Sequence, residues 1–183
     1  MCIHLKPNCH FEELPPYTMM AAAAIVNAIQ RLTGINTEII WVTDIYLTNK
    51  KLAGILTQAI SSIHSGRITD VLIGVGLNFS ISDFPEELAN KATSLFTSEK
   101  PSITRNQLIS EIWRLFLTIP TSDLVKVYKE KSLVLDKQVT FEQAGKTYTG
   151  VAKEIGDKGQ LLVLTDDGRE KWLTAGEVSL TSR

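Results

Sequence analysis

The segment from Trp41 to Gln58, "WVTDIYLTNKKLAGILTQ", decides how this chain is read. Two runs rich in Ile, Leu and Val flank the turn-prone Thr48, Asn49 and Lys50, which is the pattern of a strand, a turn and a second strand. The second run opens with two lysines and passes at once into Leu52, Ala53 and Gly54, so an ammonium is led into an apolar strand. Isolated burial of an ammonium costs roughly several kcal/mol, so Lys51 requires an anion or a route to water along its stem. Anion binding and a solvated hairpin lysine are both open at this point. Gly54 lets a flat ligand lie against bare backbone, and it suits a bulge or close packing equally well.

Working outward, "LPPYTMMAAAAIVNAIQRLTG" predicts a helix that starts after prolines and stops at Gly34, with Ala22, Ile25, Val26, Ile29 and Leu32 on its apolar stripe. The opening "MCIHLKPNCH" alternates like a strand, and Val71 to Leu77 is apolar on both parities, as expected of a strand covered on both faces. "SITRNQLISEIWRLFLTIP" predicts a second helix, with Thr104 and Gln107 spaced as a capping box and Leu108, Ile112, Leu115 and Phe116 on one face. "TSDLVKVYKEKSLV" predicts a third, with Leu124, Val127 and Tyr128 inward. From Lys137 onward short runs alternate around "EQAGK", "GDKGQ" and "TDDGRE", the pattern of a small β-barrel. The expected organisation is α+β: a mixed sheet covered by helices over 1–135, then a small β unit over 136–183.

Composition narrows the function classes. Nineteen Lys plus Arg against twenty Asp plus Glu give a formal charge of −1, which favours neither nucleic acid nor an anionic membrane surface. The apolar runs are interrupted well short of the ~20 residues of a membrane span, and no secretory pattern opens the chain, so a cytoplasmic location is expected. Cys2, His4, Cys9 and His10 are metal-capable, yet their spacing lacks the zinc pattern, and no metal site is expected.

In "GVGLNFS", Gly74 and Gly76 interrupt an apolar strand and Asn78 offers a donor and an acceptor at its end. Phe79 stands where a dinucleotide fingerprint needs its third glycine, so that reading is set aside. Asp44, seven residues before Lys51, is within a hairpin's reach of it. At ~4 Å and an effective dielectric near 20 such a pair is worth about 4 kcal/mol before desolvation, which fits a reactive geometry and a structural ion pair alike. Neither a serine-histidine-acid triad nor a helical HExxH is present.

"DIYLTNKKLAGIL", "IGVGLN", "ATSL" and "GEVSL" occur in that order, and the series resembles the biotin protein ligases over nearly the whole chain. The resemblance implies a class II synthetase-like ligase fold followed by an SH3-like barrel. It implies a two-step reaction in which biotin attacks the α-phosphate of ATP with Mg²⁺ present, and the adenylate then acylates a lysine of a biotin carrier protein. By the same resemblance Lys51 contacts both carboxylate and phosphate oxygens, Gly54 and Gly74 line the biotin pocket, Asn78 lies on the nucleotide side, and Asp44 prepares the incoming lysine. "KLAGIL" with "GEVSL" points to biotin rather than lipoate.

Departures from the family accompany these matches. Members usually read Lys-Trp-Pro-Asn-Asp where this chain has Ile40, Trp41, Val42, Thr43 and Asp44, so a cation and an amide are gone. The family's glycine- and arginine-rich lid precedes the strand that "MCIHLKPN" resembles, and its absence here implies impaired turnover and a fold incomplete at its N-terminal side. An unpaired sheet edge follows from that, with a homodimer or another partner expected to cover it. Three readings stand together: a working ligase, a non-catalytic remnant that binds or dimerises, and a fragment of a longer product.

Overall fold

The computed structural model describes residues 1–97, 100–174 and 176–181. Five strands form the first sheet: β1 (Cys2–Leu5), β2 (Glu38–Ile40), β3 (Asp44–Leu47), β4 (Lys50–Ser61) and β5 (Ile68–Leu77). Their spatial order is β1-β5-β4-β3-β2. Neighbouring strands pair antiparallel, and the parallel component comes from the bridges Ile39 to Ser132, Lys51 to Ala92 and Ser80 to Phe96.

Three helices accompany this sheet: α1 (Tyr17–Thr33), α2 (Arg105–Thr118) and α3 (Thr121–Glu130). Helix α1 ends at Gly34, whose φ of 75° suits a residue without Cβ and whose N–H closes onto Gln30 O. Ala21 to Ala24 are all buried, because short side chains let this helix lie close to the strands. Helix α2 starts with the expected capping box between Thr104 and Gln107, and its four expected apolar residues are buried. In α3 the buried residues are Leu124, Val125 and Tyr128; Val127, expected inward, is only half-buried.

Strand pairing sorts the sheet into two unlike faces. Ile3, Ile39, Ile45, Ala53, Ile55, Val71, Ile73 and Val75 are buried on the helix side. Asp44, Gly54, Leu56, Gly74 and Gly76 occupy the other parity, where Gly76 and Leu56 are exposed. The expectation that β5 is covered on both faces therefore needs correcting. Its second parity is apolar because two of its positions are glycines, and glycine carries no demand for burial.

The remaining strands, β6 (Gln138–Gln143), β7 (Lys146–Ile155), β8 (Leu161–Thr165), β9 (Glu170–Leu173) and β10 (Val178–Leu180), make a second sheet in the order β10-β6-β7-β8-β9. The arrangement is consistent with the SH3-like expectation, but among the described residues no ladder joins β9 to β10, so the sheet stays open rather than closing as a barrel. Of the expected span 136–183, Ala175, Ser182 and Arg183 lie outside the described residues. Ala144 and Gly145, both at positive φ, form the two-residue turn between β6 and β7.

The turn joining β7 to β8 is held against α1, α3 and the β2–β3 connection. Asp157 accepts from Lys129 Nζ at 2.7 Å, and Gly159 O accepts from the indole Nε1 of buried Trp41 at 2.7 Å. A Cβ on Gly159 would stand 3.0 Å from Met19 Sδ, so the backbone here is pressed against α1. Trp41→Phe removes the indole donor to Gly159 O while keeping an aromatic ring, and is expected to cost about 1–3 kcal/mol of stability. Urea denaturation measures the loss, and amide exchange in Gly156–Gln160 should quicken with it.

Candidate functional site

The β3–β4 hairpin turns on Thr48 and Asn49, at φ of 49° and 63°, between paired Leu47 and Lys50. Two central residues at positive φ match the twist of the flanking strands. In a regular strand Lys51 and Gly54, three residues apart, would face opposite sides. The pairing is not regular: Ile45 stands opposite Ala53 and Tyr46 opposite Lys51, leaving Leu52 as an extra residue in β4. This bulge buries Leu52 and Ala53 together and returns Lys51 to the face that carries Asp44 and Gly54.

The result is an ion pair over a bare stretch of backbone. Lys51 Nζ lies 2.6 Å from Asp44 Oδ2, with the lysine side chain 47% and the aspartate 26% exposed. Thr43 Oγ1 donates to Asp44 Oδ1 at 3.3 Å. The expectation of an ammonium led into a buried segment is thus corrected, for the amine reaches the partly exposed carboxylate instead of the core. At that exposure the pair is worth about 0.2–1 kcal/mol, less than the unscreened figure, so its main effect is to hold the amine in place.

Lys51, Asp44, Gly54 and Gly74 line one cavity of about 1130 Å³, which is also lined by Lys158 from the β7–β8 turn and by Glu177, just before β10. The strand register explains the floor: Gly54 pairs with Asp44 and Gly76, and Gly74 pairs with Leu56, so three glycines share the open face. Tyr17, also at the wall, has its phenol pushed up by burial, with nearby Cys9 adding to the effect. It therefore stays protonated and polar without charge.

Asn78 lies elsewhere. Its Nδ2 donates to Thr93 O at 3.0 Å, and its own carbonyl accepts from Leu95 N–H and Ser94 Oγ. It fixes the Thr93–Leu95 segment and is not among the residues lining the cavity. Lys158, Gln160 and Glu177 were not foreseen as site residues. "GDKGQ" signalled a turn but gave no sign of where that turn would dock. His4 Nε2, 2.7 Å from Asp70 Oδ1, also sits on the open face, and its hydrogen bond holds the Asp70 carboxyl below its usual range. Among the described residues no three His, Cys, Asp or Glu side chains are grouped to hold a metal ion.

Comparison with known proteins gives concordant matches. The family model described as biotin/lipoate A/B protein ligase family matches residues 1–78, and that of the biotin protein ligase C terminal domain matches residues 134–181. The bifunctional ligase/repressor BirA of Bacillus subtilis is 31% identical over 96% of this chain and 56% of its own length. The biotin–[acetyl-CoA-carboxylase] ligase of Mycobacterium tuberculosis is 28% identical over 88% of this chain and 60% of its own. The chain thus spans just over half the length of these curated relatives. Among solved structures, the Aquifex aeolicus biotin protein ligase in complex with biotin and ATP superposes with a TM-score of 0.79, at 23% identity, over 100% of this chain and 77% of that one.

The glycines separate into two kinds that substitution should distinguish. A Cβ on Gly54 would meet Lys51 Cε at 3.5 Å and Asp44 Oδ1 at 3.6 Å, which is ordinary contact. On Gly150 it would collide with the Leu164 carbonyl and stand 2.6 Å from Thr165 Cα. Gly54→Ala is expected to change unfolding free energy by no more than about 0.5 kcal/mol, and Gly150→Ala to lose about 1–3 kcal/mol. Chemical denaturation of the two variants checks both.

Proposed function

The chain belongs to the biotin protein ligase family, and we propose that it activates biotin with ATP and transfers it to a lysine of a biotin carrier protein. The observation that supports this most directly is the 2.6 Å pair of Lys51 with Asp44 over the glycine floor of the cavity. In the first step a biotin carboxylate oxygen attacks the α-phosphorus of ATP, the bond to the β-phosphate oxygen breaks, and pyrophosphate leaves. In the second, the carrier amine attacks the acyl carbonyl, loses a proton, and AMP leaves as an amide forms.

Each step needs something these side chains supply. Two anions must meet in the first, and an ammonium beside both neutralises the charge that gathers on their oxygens. Lys51 takes that role, while bare backbone at Gly54 and Gly74 lets the acid lie close. Asp44 receives and orients the carrier ammonium and accepts its proton on the way to attack. Asn78 serves the nucleotide side by fixing the Thr93–Leu95 segment rather than by projecting into the cavity. Mg²⁺ enters on the triphosphate, as part of the substrate.

The proposed organisation is a catalytic unit over 1–135 and a small β unit over 136–183, acting in the cytoplasm. A homodimer is included because β1, among the described residues, is an edge strand whose ladder is to β5. One observation favours the second reading, a non-catalytic module that binds without turnover: Ile40 and Thr43 stand where members carry a cation and an amide.

Incubating the chain with biotin, Mg-ATP and a carrier domain, then weighing the carrier, separates the two readings, since a biotin-sized mass gain requires transfer. Lys51→Ala is expected to raise the barrier to adenylation by on the order of 3 kcal/mol, roughly a hundredfold in rate. A variant forming adenylate at the unaltered rate removes Lys51 from the chemistry. Light scattering is expected to give twice the chain mass, and a monomer would argue against the dimer.

A further inference from the structure

Two lysines line the cavity, and they differ in what holds them. Lys51 is matched to Asp44 at 2.6 Å. Lys158, in the turn between β7 and β8, is exposed, makes no ion pair among the described residues, and gives its Nζ proton to the backbone carbonyl of Glu12. The chain on either side of it is fixed, by Asp157 on Lys129 and by Gly159 on Trp41. An ammonium on a rigid base, resting on a neutral acceptor at the rim of a cavity, exchanges that acceptor for an anionic oxygen with a gain.

The cavity is also lined by Asp44, Glu177 and Met1, whose α-ammonium is held on Val75 O at 2.7 Å; with Lys51 matched to Asp44, Lys158 is, among the described residues, the lining side-chain cation left to meet the phosphates of a nucleotide. We propose that Lys158 is a phosphate-binding residue of the nucleotide, leaving Glu12 O for a non-bridging phosphate oxygen when Mg-ATP enters. The inference rests on the ligase reading above and extends it by giving the second sheet a direct part in nucleotide affinity.

Calorimetry of the full chain with Mg-ATP, and separately with biotin alone, tests it in the unaltered protein, Lys158→Gln and Lys158→Arg. Lys158→Gln keeps a donor for Glu12 O and is expected to weaken Mg-ATP about tenfold, with a shallower salt dependence and biotin affinity unchanged. Lys158→Arg is expected to keep most of the affinity, since it retains the charge. Several results overturn the proposal: equal Mg-ATP affinity in Lys158→Gln and the unaltered chain, parallel loss of biotin and Mg-ATP, or unchanged nucleotide binding with slower acylation of the carrier. The last would place Lys158 against the protein partner. An unaltered chain that binds neither ligand overturns the ligase reading and this inference with it.

Discussion

A single extra residue sets the geometry on which the site depends. Leu52 has no partner of its own in β3, and by occupying a place in the core it turns Lys51 onto the same face as Asp44 and Gly54. Side-chain direction in a strand alternates strictly, so without that residue the amine and the glycine would face opposite sides of the sheet. The ion pair follows from the bulge. Because both partners are part-exposed, the pair contributes little to folding, and its main effect is to hold the amine over the glycine floor of the cavity.

The two faces of the first sheet explain how one set of strands serves both the core and the cavity. The helix side is filled by branched aliphatics and by α1, whose run of four alanines brings its axis close. The open side is bare across its middle, with glycine at 54, 74 and 76. Space for a ligand is therefore obtained by omitting side chains and not by carving the core. That economy also exposes Leu56 and Ile60, apolar residues on the open parity of β4.

Much of this was legible before any coordinates. Three helices, the stop of the first and the capping box of the second, the β3–β4 hairpin, the short strands after Lys137 and the nearness of Asp44 to Lys51 all follow from periodicity, turn residues and spacing, because each is decided by neighbours along the chain. What was not legible depended on distant contacts. A bulge leaves no mark in a run such as "KKLAGIL", where every residue is plausible at either parity. The reading of β5 as covered on both faces counted Gly74 and Gly76 as apolar positions, although glycine has no side chain that needs cover. Asn78 had the right chemistry for a ligand but spends its amide on Thr93, and Lys158 passed as an ordinary turn residue.

The docking of the β7–β8 turn has a consequence for how the molecule is assembled. Trp41 and Gly159, which share a hydrogen bond, are 118 residues apart in sequence. Contacts of that span close a very large loop and form late, after local hairpins and helices are in place. The hollow between the sheets is therefore among the last features to appear on the way to the native state. On a ribosome it would stay unfinished until the chain through Gly159 had emerged.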